Sequence, residues 1–582
     1  MLNRRMFLTV VVSAATGILA ACRGGRAPAS AVESPGPTQT DITAEADPTI
    51  TSSPAPTATP TLTYVRVWLD QSVAPHFSSA ADDVIAVLDG IQSEPSLQIE
   101  QVNDPAAADV RITVAESGAL ANAIVWARAP LALVTSPRVP ISGVTVEQAR
   151  GLIDGAIANW SDVGSPKPID VFPVTIAGSG CAAAPKATVA TFQEFVTLFA
   201  THPGAIGLAF PSDVDFRVGV VPVGGVDLLR SSDPPSDYPF HRDLILDLSP
   251  SLPDSIAASL RGAAVTPQSV GTGGPRVAVT LVGDVILGRT VHTIMTRQND
   301  FAAPFRLVAD ELKWADLTIA DLECTLSDNI TPPTDPYTFS FMTYTKGVEG
   351  LQLAGIDGVS QANNHSMNFG VQGMHDTLAA LDKVDIPYFG IGPDLATARR
   401  PLVLEAKGLR IAWLGYDGIT GDIYGATPTS PGTSPLVADY VAADVAAAAG
   451  TADIVIPFIH WGVEYTLVPT AQQRAIARQA IDAGASMVVG SHPHWVQGIE
   501  IYQGRPILYS LANFVFDQDW SLETKQGLIL HLFFSGPRLA GLRLVPVLIE
   551  NFYRPRIVSG ADLVTILDRV WSSTDTMEAN PV

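Results

Sequence analysis

The chain has 582 residues, with 35 Lys and Arg against 58 Asp and Glu, a net charge of −23 and no basic run beyond its first few residues. Nucleic-acid binding normally needs a clustered basic face, so this composition argues against such a partner. The cysteines are Cys22, Cys181 and Cys324, too few and too scattered for a disulfide framework.

In chain order, Arg4-Arg5 precede an uncharged stretch from Met6 to Ala21, which Leu19-Ala20-Ala21-Cys22 closes. This is the order of a charged n-region, an apolar h-region and a lipoprotein cleavage box, and the apolar part is shorter than the roughly 20 residues of a membrane span. The expectation is a signal peptide over 1–21, a lipid anchor on Cys22, and a mature chain held at the outer face of the cell membrane; two acyl chains suffice for stable anchoring. Arg4-Arg5-Met6-Phe7-Leu8 also resembles the twin-arginine export signal, which suits export of a folded, metal-loaded chain. Residues 22–63 are Pro, Thr, Ser and Ala with few large apolar groups, the composition of a disordered tether. The rest of the chain is several times the roughly 100–200 residues of one domain, so at least two folded regions are expected, at 64–260 and 277–568.

In the first region, Tyr64-Val-Arg-Val-Trp-Leu69, Asp109-Val-Arg-Ile-Thr-Val114 and Leu131-Ala-Leu-Val-Thr135 read as strands, and Thr145 to Ile153 as a helix, which makes the region α/β. The segment from Val144 through Trp160 to Gly164 resembles phosphate-binding-type periplasmic solute-binding proteins. Gly178-Ser-Gly180, Gly204-Ala-Ile-Gly207 and Tyr238-Pro-Phe240 are further matches. In that family a Ser-Gly turn at a helix start presents backbone N–H groups to an anion. Ser179 and Gly180 are therefore the candidate anion turn, although Cys181 and Ala182 stand where an arginine or threonine usually accompanies it. A turn serving only the backbone is the alternative.

In the second region, short apolar runs beginning at Val277, Leu317, Gly358, Ile411, Asp453 and Ser486 read as strands. Val371, Met374, Leu378 and Leu381 have helical spacing, and Thr470 and Gly484 bracket another helix. Runs at Gly527–Phe534 and Leu542–Ile549 have little helix between them and suggest an antiparallel addition. Alternating β and α segments imply a buried sheet flanked by helices, with ligands bound beyond the carboxyl ends of its strands.

Five blocks end such runs with metal-type side chains: Asp284, Asp321-Leu-Glu323, Asn363-Asn364-His365, His460, and His492-Pro-His494. Singly each has a plainer reading. A Gly-Asp is often a turn, Asn-Asn-His can close a loop, and a histidine beside Trp461 can belong to the core. Together they supply the imidazoles, carboxylates and amide of a two-metal hydrolytic site. Mixed oxygen and nitrogen donors suit manganese, iron or zinc.

These blocks, with Val282-Gly-Asp284 through Arg289, Ala315-Asp316, His460-Trp-Gly-Val-Glu464 and Tyr509-Ser-Leu-Ala-Asn-Phe514, resemble the CapA family of capsule and poly-gamma-glutamate assembly proteins. That resemblance implies a calcineurin-like metallophosphoesterase fold, an αββα sandwich here preceded by a periplasmic binding protein-like α/β domain. It implies that Asp284, Glu323, Asn364, His460, His492 and His494 hold two divalent metal ions, with Glu323 the bridge and His365 beside the leaving group. Arg289 and Asn513 are candidates for orienting the substrate, a solvated Arg289 being the plainer reading, and Glu464, four residues after His460, is a candidate for supporting a ligand imidazole or for an ordinary surface salt bridge. Three positions depart from the family: Asp321 replaces asparagine, Asn368 aspartate and Ala512 glycine. The implied activity is hydrolysis of a phosphoester or related bond in envelope assembly. Two other readings use the same residues: a non-catalytic scaffold that guides an anionic polymer, and a lipoprotein that senses solute through its first domain.

Overall fold

Strands form at the short apolar runs, and which face each residue takes depends on the alternation within them. A computed structural model describes residues 63–580 apart from 71–75, 92–96, 117–122, 180–183, 232–233, 265–267, 270–275 and 336. Cys22, the tether, Gly180 and Cys181 lie outside the described residues.

The first region is a two-lobed α/β unit. One lobe has a six-stranded sheet ordered Gln268–Ser269, Ile124–Pro130, His241–Leu248, Val110–Glu116, Thr63–Leu69, Leu97–Gln101. The other has a five-stranded sheet ordered Ala187–Val189, Phe172–Ile176, Ala205–Ala209, Ala132–Thr135, Gly219–Val221. The chain passes from one lobe to the other where Ile124–Pro130 runs into Ala132–Thr135, and returns to the first with His241–Leu248. The Val146–Ile153 helix starts on a capping box between Thr145 and Gln148, a device that satisfies two helix-start donors reciprocally. Trp160 is fully buried and donates to the Gly204 carbonyl at 3.2 Å.

The second region is an αββα sandwich. One sheet runs Tyr388–Phe389, Gly358–Ser360, Leu317–Leu322, Arg276–Val285, Gln526–Ser535, Arg538–Glu550, Arg554–Ile557, with Asn513–Val515 pairing to the end of Arg276–Val285. The other runs Leu402–Ala406, Leu409–Asp417, Ile454–His460, Val488–Ser491, Arg505–Leu508, Ile499–Tyr502. Period-two alternation builds the layers. In Leu409–Asp417, Ile411 and Trp413 join the core between the sheets, whereas Ala412, Leu414 and Tyr416 face the outer helices Ala438–Ala449 and Ala471–Asp482. Val279, Leu281, Leu530 and Leu532 meet Ile411 and Trp413 from the first sheet. The helix at Ala471 carries its own capping box, Thr470 with Gln473.

The two regions share packing. Ala278 and Phe533, on the first sheet, are buried in the hydrophobic cluster of the five-stranded lobe. Arg230 covers the Trp314 ring at 3.9 Å and pairs with Glu311, and Arg543 pairs with Asp227. Lys167 reaches Asp568 and Arg138 reaches Asp575 on the final helix, Gly560–Ala579. That helix continues to Ala579, and Gln268–Ser269 adds an edge strand beside Ile124–Pro130.

Candidate metal centre

The strands that matter here are parallel within each sheet, so their carboxyl ends share one edge of the sandwich. Asp284 lies near the end of Arg276–Val285, Glu323 just after Leu317–Leu322, Asn364 and His365 after Gly358–Ser360, His460 at the end of Ile454–His460, and His492 and His494 after Val488–Ser491. The local backbone is unusual. A Cβ on Gly283 would stand 2.1 Å from the Ala512 carbonyl oxygen, and that carbonyl accepts from the Asp284 N–H at 3.1 Å. Ala512, His492 and His494 all have φ in the left-handed region, at 61°, 93° and 57°. Such strain costs about 1–3 kcal/mol per residue and persists only where the surroundings hold it.

Three buried groups of potential ligands overlap among the described residues: Glu323, His460 and His492; Asp284, Glu323 and His494; and Asp284, Asp321 and His460, the ligand atoms of each lying within 4.8 Å of one another. Metal–ligand bonds of about 2.0–2.2 Å put the donors of one ion about 3–4 Å apart, and His460 Nε2 lies 3.0 Å from His492 Nδ1. Asp284 Oδ2 lies 3.1 Å from His494 Nδ1.

The donor set fits a cation for a specific reason. Glu323 is fully buried, and neither carboxyl oxygen is in hydrogen-bonding geometry with any described group. The imidazole nitrogens nearest Oε1 are His460 Nε2 at 3.4 Å and His365 Nε2 at 3.7 Å. The side-chain oxygen of Asn364 is likewise buried without a partner. A buried carboxylate in that state costs several kcal/mol unless positive charge faces it. Burial and the Asp284 charge push the Glu323 pKa up to about 7.

The surrounding bonds fix the imidazole tautomers. His460 donates from Nδ1 to Asp321 Oδ2 at 2.8 Å. Asn368 accepts from the Phe341 N–H at 2.9 Å through Oδ1, so the same oxygen, 2.8 Å from His365 Nδ1, must receive that proton too. Asn513 donates to the Thr524 carbonyl through Nδ2, which turns its Oδ1 to His494 Nδ1 at 2.8 Å. His365 and His494 thus keep Nε2 out of those bonds, the atom left for metal ligation, while Nε2 of His460 meets Nδ1 of His492 at 3.0 Å. Burial opposes charge on His460 and His494, yet Glu323 and Asp321 hold His460 well above the ordinary imidazole value, and Asp284 raises His494. Burial and the charges of His460 and His494 hold His492 well below it, and burial pushes His365 down to about 3.

Several sequence-based roles change. Glu464 is exposed, and the carboxylate on His460 is that of Asp321. Asn368 orients the His365 imidazole. Asn513 is fully buried and positions His494. Arg289 is neither solvated nor open to a substrate: its side chain is 11% exposed, bound to Asp517, and lies over the rings of Phe341 and Phe516 at 5.0 and 4.7 Å. Those rings pack on His365 and His494 respectively, so Arg289 braces the site from behind. In the first region the Ser179 hydroxyl is buried within reach of the Ile176 and Leu208 carbonyl oxygens, at 2.8 and 2.6 Å, and its N–H donates to the Ile176 carbonyl at 3.1 Å.

Asn363, Ser491 and Tyr465 also belong to the site. Asn363 Oδ1 accepts from the backbone N–H groups of His365 and Ser366, while its Nδ2 donates to Asp321. The Ser491 hydroxyl donates to Asp284. The Asp321 role had a signal in the sequence, since i and i+2 share one side of a strand and Asp321 is two residues before Glu323.

Residues 278–518 match the family described as bacterial capsule synthesis protein PGA_cap. The PGA biosynthesis protein CapA of Bacillus subtilis (strain 168) is 32% identical over 269 residues, covering 46% of this chain and 70% of that protein. Among solved structures, the calcineurin-like phosphoesterase YfkN from Bacillus subtilis aligns at 12% identity and TM-score 0.31 over 52% of this chain and 98% of that one. An ABC-type phosphate transport receptor from Vibrio cholerae aligns at 21% identity and TM-score 0.26 over 34% of this chain and 95% of that one.

Proposed function

The chain belongs to the bacterial capsule synthesis protein family, and from that premise we propose that its buried carboxylate and imidazole cluster is a two-metal hydrolytic centre acting on a phosphoester or related bond during capsule or polyglutamate assembly. The observation that carries this reading is Glu323, fully buried, common to two of the three ligand groups and with neither oxygen in hydrogen-bonding geometry with any described group. Asp284, Glu323 and His494 would hold one divalent ion, and Glu323, His460 and His492 the other, with the Asn364 amide oxygen completing the set. When bound, such ions supply Lewis-acid polarisation of a phosphoryl oxygen and a water of lowered pKa.

The residues of the chain do the rest. Asp321, Asn368 and Asn513 keep Nδ1–H on three imidazoles and so hold their Nε2 atoms inward. His365 would receive at Nε2 the proton released by the attacking water and pass it to the leaving oxygen, a step typically worth about 10²–10⁴-fold. Arg289 fixes the two rings that seat His365 and His494.

The site works, in this proposal, on the outer face of the cell membrane, with the chain anchored through Cys22. Among the described residues no helix is long and apolar enough to cross a membrane. Metal-depleted protein, reconstituted separately with manganese, iron or zinc and offered phosphomonoesters and phosphodiesters, tests the hydrolytic reading. Turnover that appears with metal and is lost in Glu323→Gln supports it. Metal uptake without turnover of any ester favours the scaffold that guides an anionic polymer.

A further inference from the structure

One wall of the metal centre is aromatic. Tyr465 has φ of 59°, a conformation rare for bulky side chains and held only by constraint. The constraints are its N–H bond to the Pro493 carbonyl at 2.8 Å and its hydroxyl, which accepts from Gln518 Nε2 at 3.0 Å. They fix the Tyr465 ring 5.9 Å from that of His494. Trp520 meets Tyr465 edge-on at 4.8 Å and 80°, yet it remains 61% exposed. A large ring anchored at one edge beside a reaction centre, with the rest of its surface in water, is a platform with room for a partner.

The chemistry of that partner is constrained by the neighbours. The basic residues of this rim, Arg289 and Lys525, are bound to Asp517 and Asp519. The Gln518 amide is taken up by Tyr465 and Asn513. Ring faces are therefore what this side presents, which suits a group with an apolar face and does not suit an anionic extension. We propose that Tyr465 and Trp520 form a stacking subsite, next to His494, for a ring carried on the leaving group of the substrate, either a sugar or an aromatic base. This rests on the reading of the cluster as a phosphoesterase centre.

The test compares non-hydrolysable phosphonates on the full, manganese-loaded chain by calorimetric titration. Methylphosphonate has no ring, phenylphosphonate has an aromatic one, and the methylene phosphonate analogue of glucose 1-phosphate has a saturated one. At least one ring compound is expected to bind about tenfold tighter than methylphosphonate, the size of a good aromatic contact, and which one does so distinguishes base from sugar. Trp520→Ala should shrink the gap to about twofold and Trp520→Phe should restore most of it, with bound manganese unchanged in both. Equal binding of all three compounds by the wild type, or a gap that survives Trp520→Ala, overturns the subsite and leaves the metal centre standing. Failure of every phosphonate to bind removes the phosphoesterase reading and the subsite with it.

Discussion

The Asp321 carboxylate lies 2.8 Å from Nδ1 of His460 and so ties the edge of one sheet to the edge of the other. Carboxylate–imidazole pairs of this kind raise ligand basicity, and losing them typically costs about 10–100-fold in metal affinity. Asp321→Ala should weaken metal binding by about that factor. Asp321→Asn should lose less than tenfold, because an amide oxygen still accepts the Nδ1 proton. Metal titration monitored by calorimetry distinguishes the two, and an unaltered affinity in Asp321→Ala contradicts the assigned role.

Much of this arrangement was legible in the sequence for a physical reason. A buried strand ending in a polar ligand is a conspicuous break in an apolar run, and Asp284, Glu323, His460 and His492 each mark one. The threonine N-cap at Thr470 was local and readable as well. What stayed hidden depends on long-range contact. Nothing near Arg289 in sequence announces Asp517, and nothing in the Tyr465 loop announces a left-handed backbone pinned to Pro493. Glu464 looked suitable because it is four residues after His460, but that spacing holds partners together on a helix, and residues 461–464 are not helical. The docking of Ala278 and Phe533 into the first region was equally unreadable, since an apolar residue in a strand does not say which core it joins.

Gly283 is where the backbones of Asp284 and Ala512 approach. An added methyl would meet the Ala512 carbonyl oxygen at 2.1 Å and the Leu511 Cβ at 3.2 Å. Gly283→Ala should cost about 1–3 kcal/mol of stability through forced displacement and reduce bound metal, because the same displacement moves Asp284. Denaturant unfolding and elemental analysis check both effects, and an unchanged unfolding midpoint would count against the close approach.

His531 is fully buried, with Nε2 donating to Glu311 at 2.9 Å and Nδ1 2.8 Å from the Thr280 hydroxyl. Burial lowers its pKa, and although burial raises that of Glu311, the bonds to His531 and Arg230 lower it overall. The sign is the same for both groups. A neutral buried histidine contributes stability above its unfolded value of about 6.5, and this is lost as pH falls below it; an ionised Glu311 contributes above its own unfolded value and is lost at lower pH still. Melting temperature should therefore drop between pH 7.5 and 5.5, and drop less steeply in His531→Gln. Parallel pH profiles for the two proteins would refute the assignment.

The proposed anchor is tested by fractionation. Cys22→Ala should move the protein from the membrane fraction to the soluble one, because a single unmodified apolar leader gives no stable attachment once cleavage fails to couple to lipidation. Retention in the membrane fraction argues for a different attachment.

The central claim is the paired metal centre, and metal stoichiometry of the purified protein tests it most directly. Wild-type protein, loaded and desalted, should retain two equivalents of divalent ion, His492→Ala and His494→Ala should each retain less, and the double variant less again, since each removes a donor. His375→Ala, on the exposed side of the Gly370–Asp382 helix, should match the wild type. A double variant that holds as much metal as the wild type would contradict the centre and favour the scaffold.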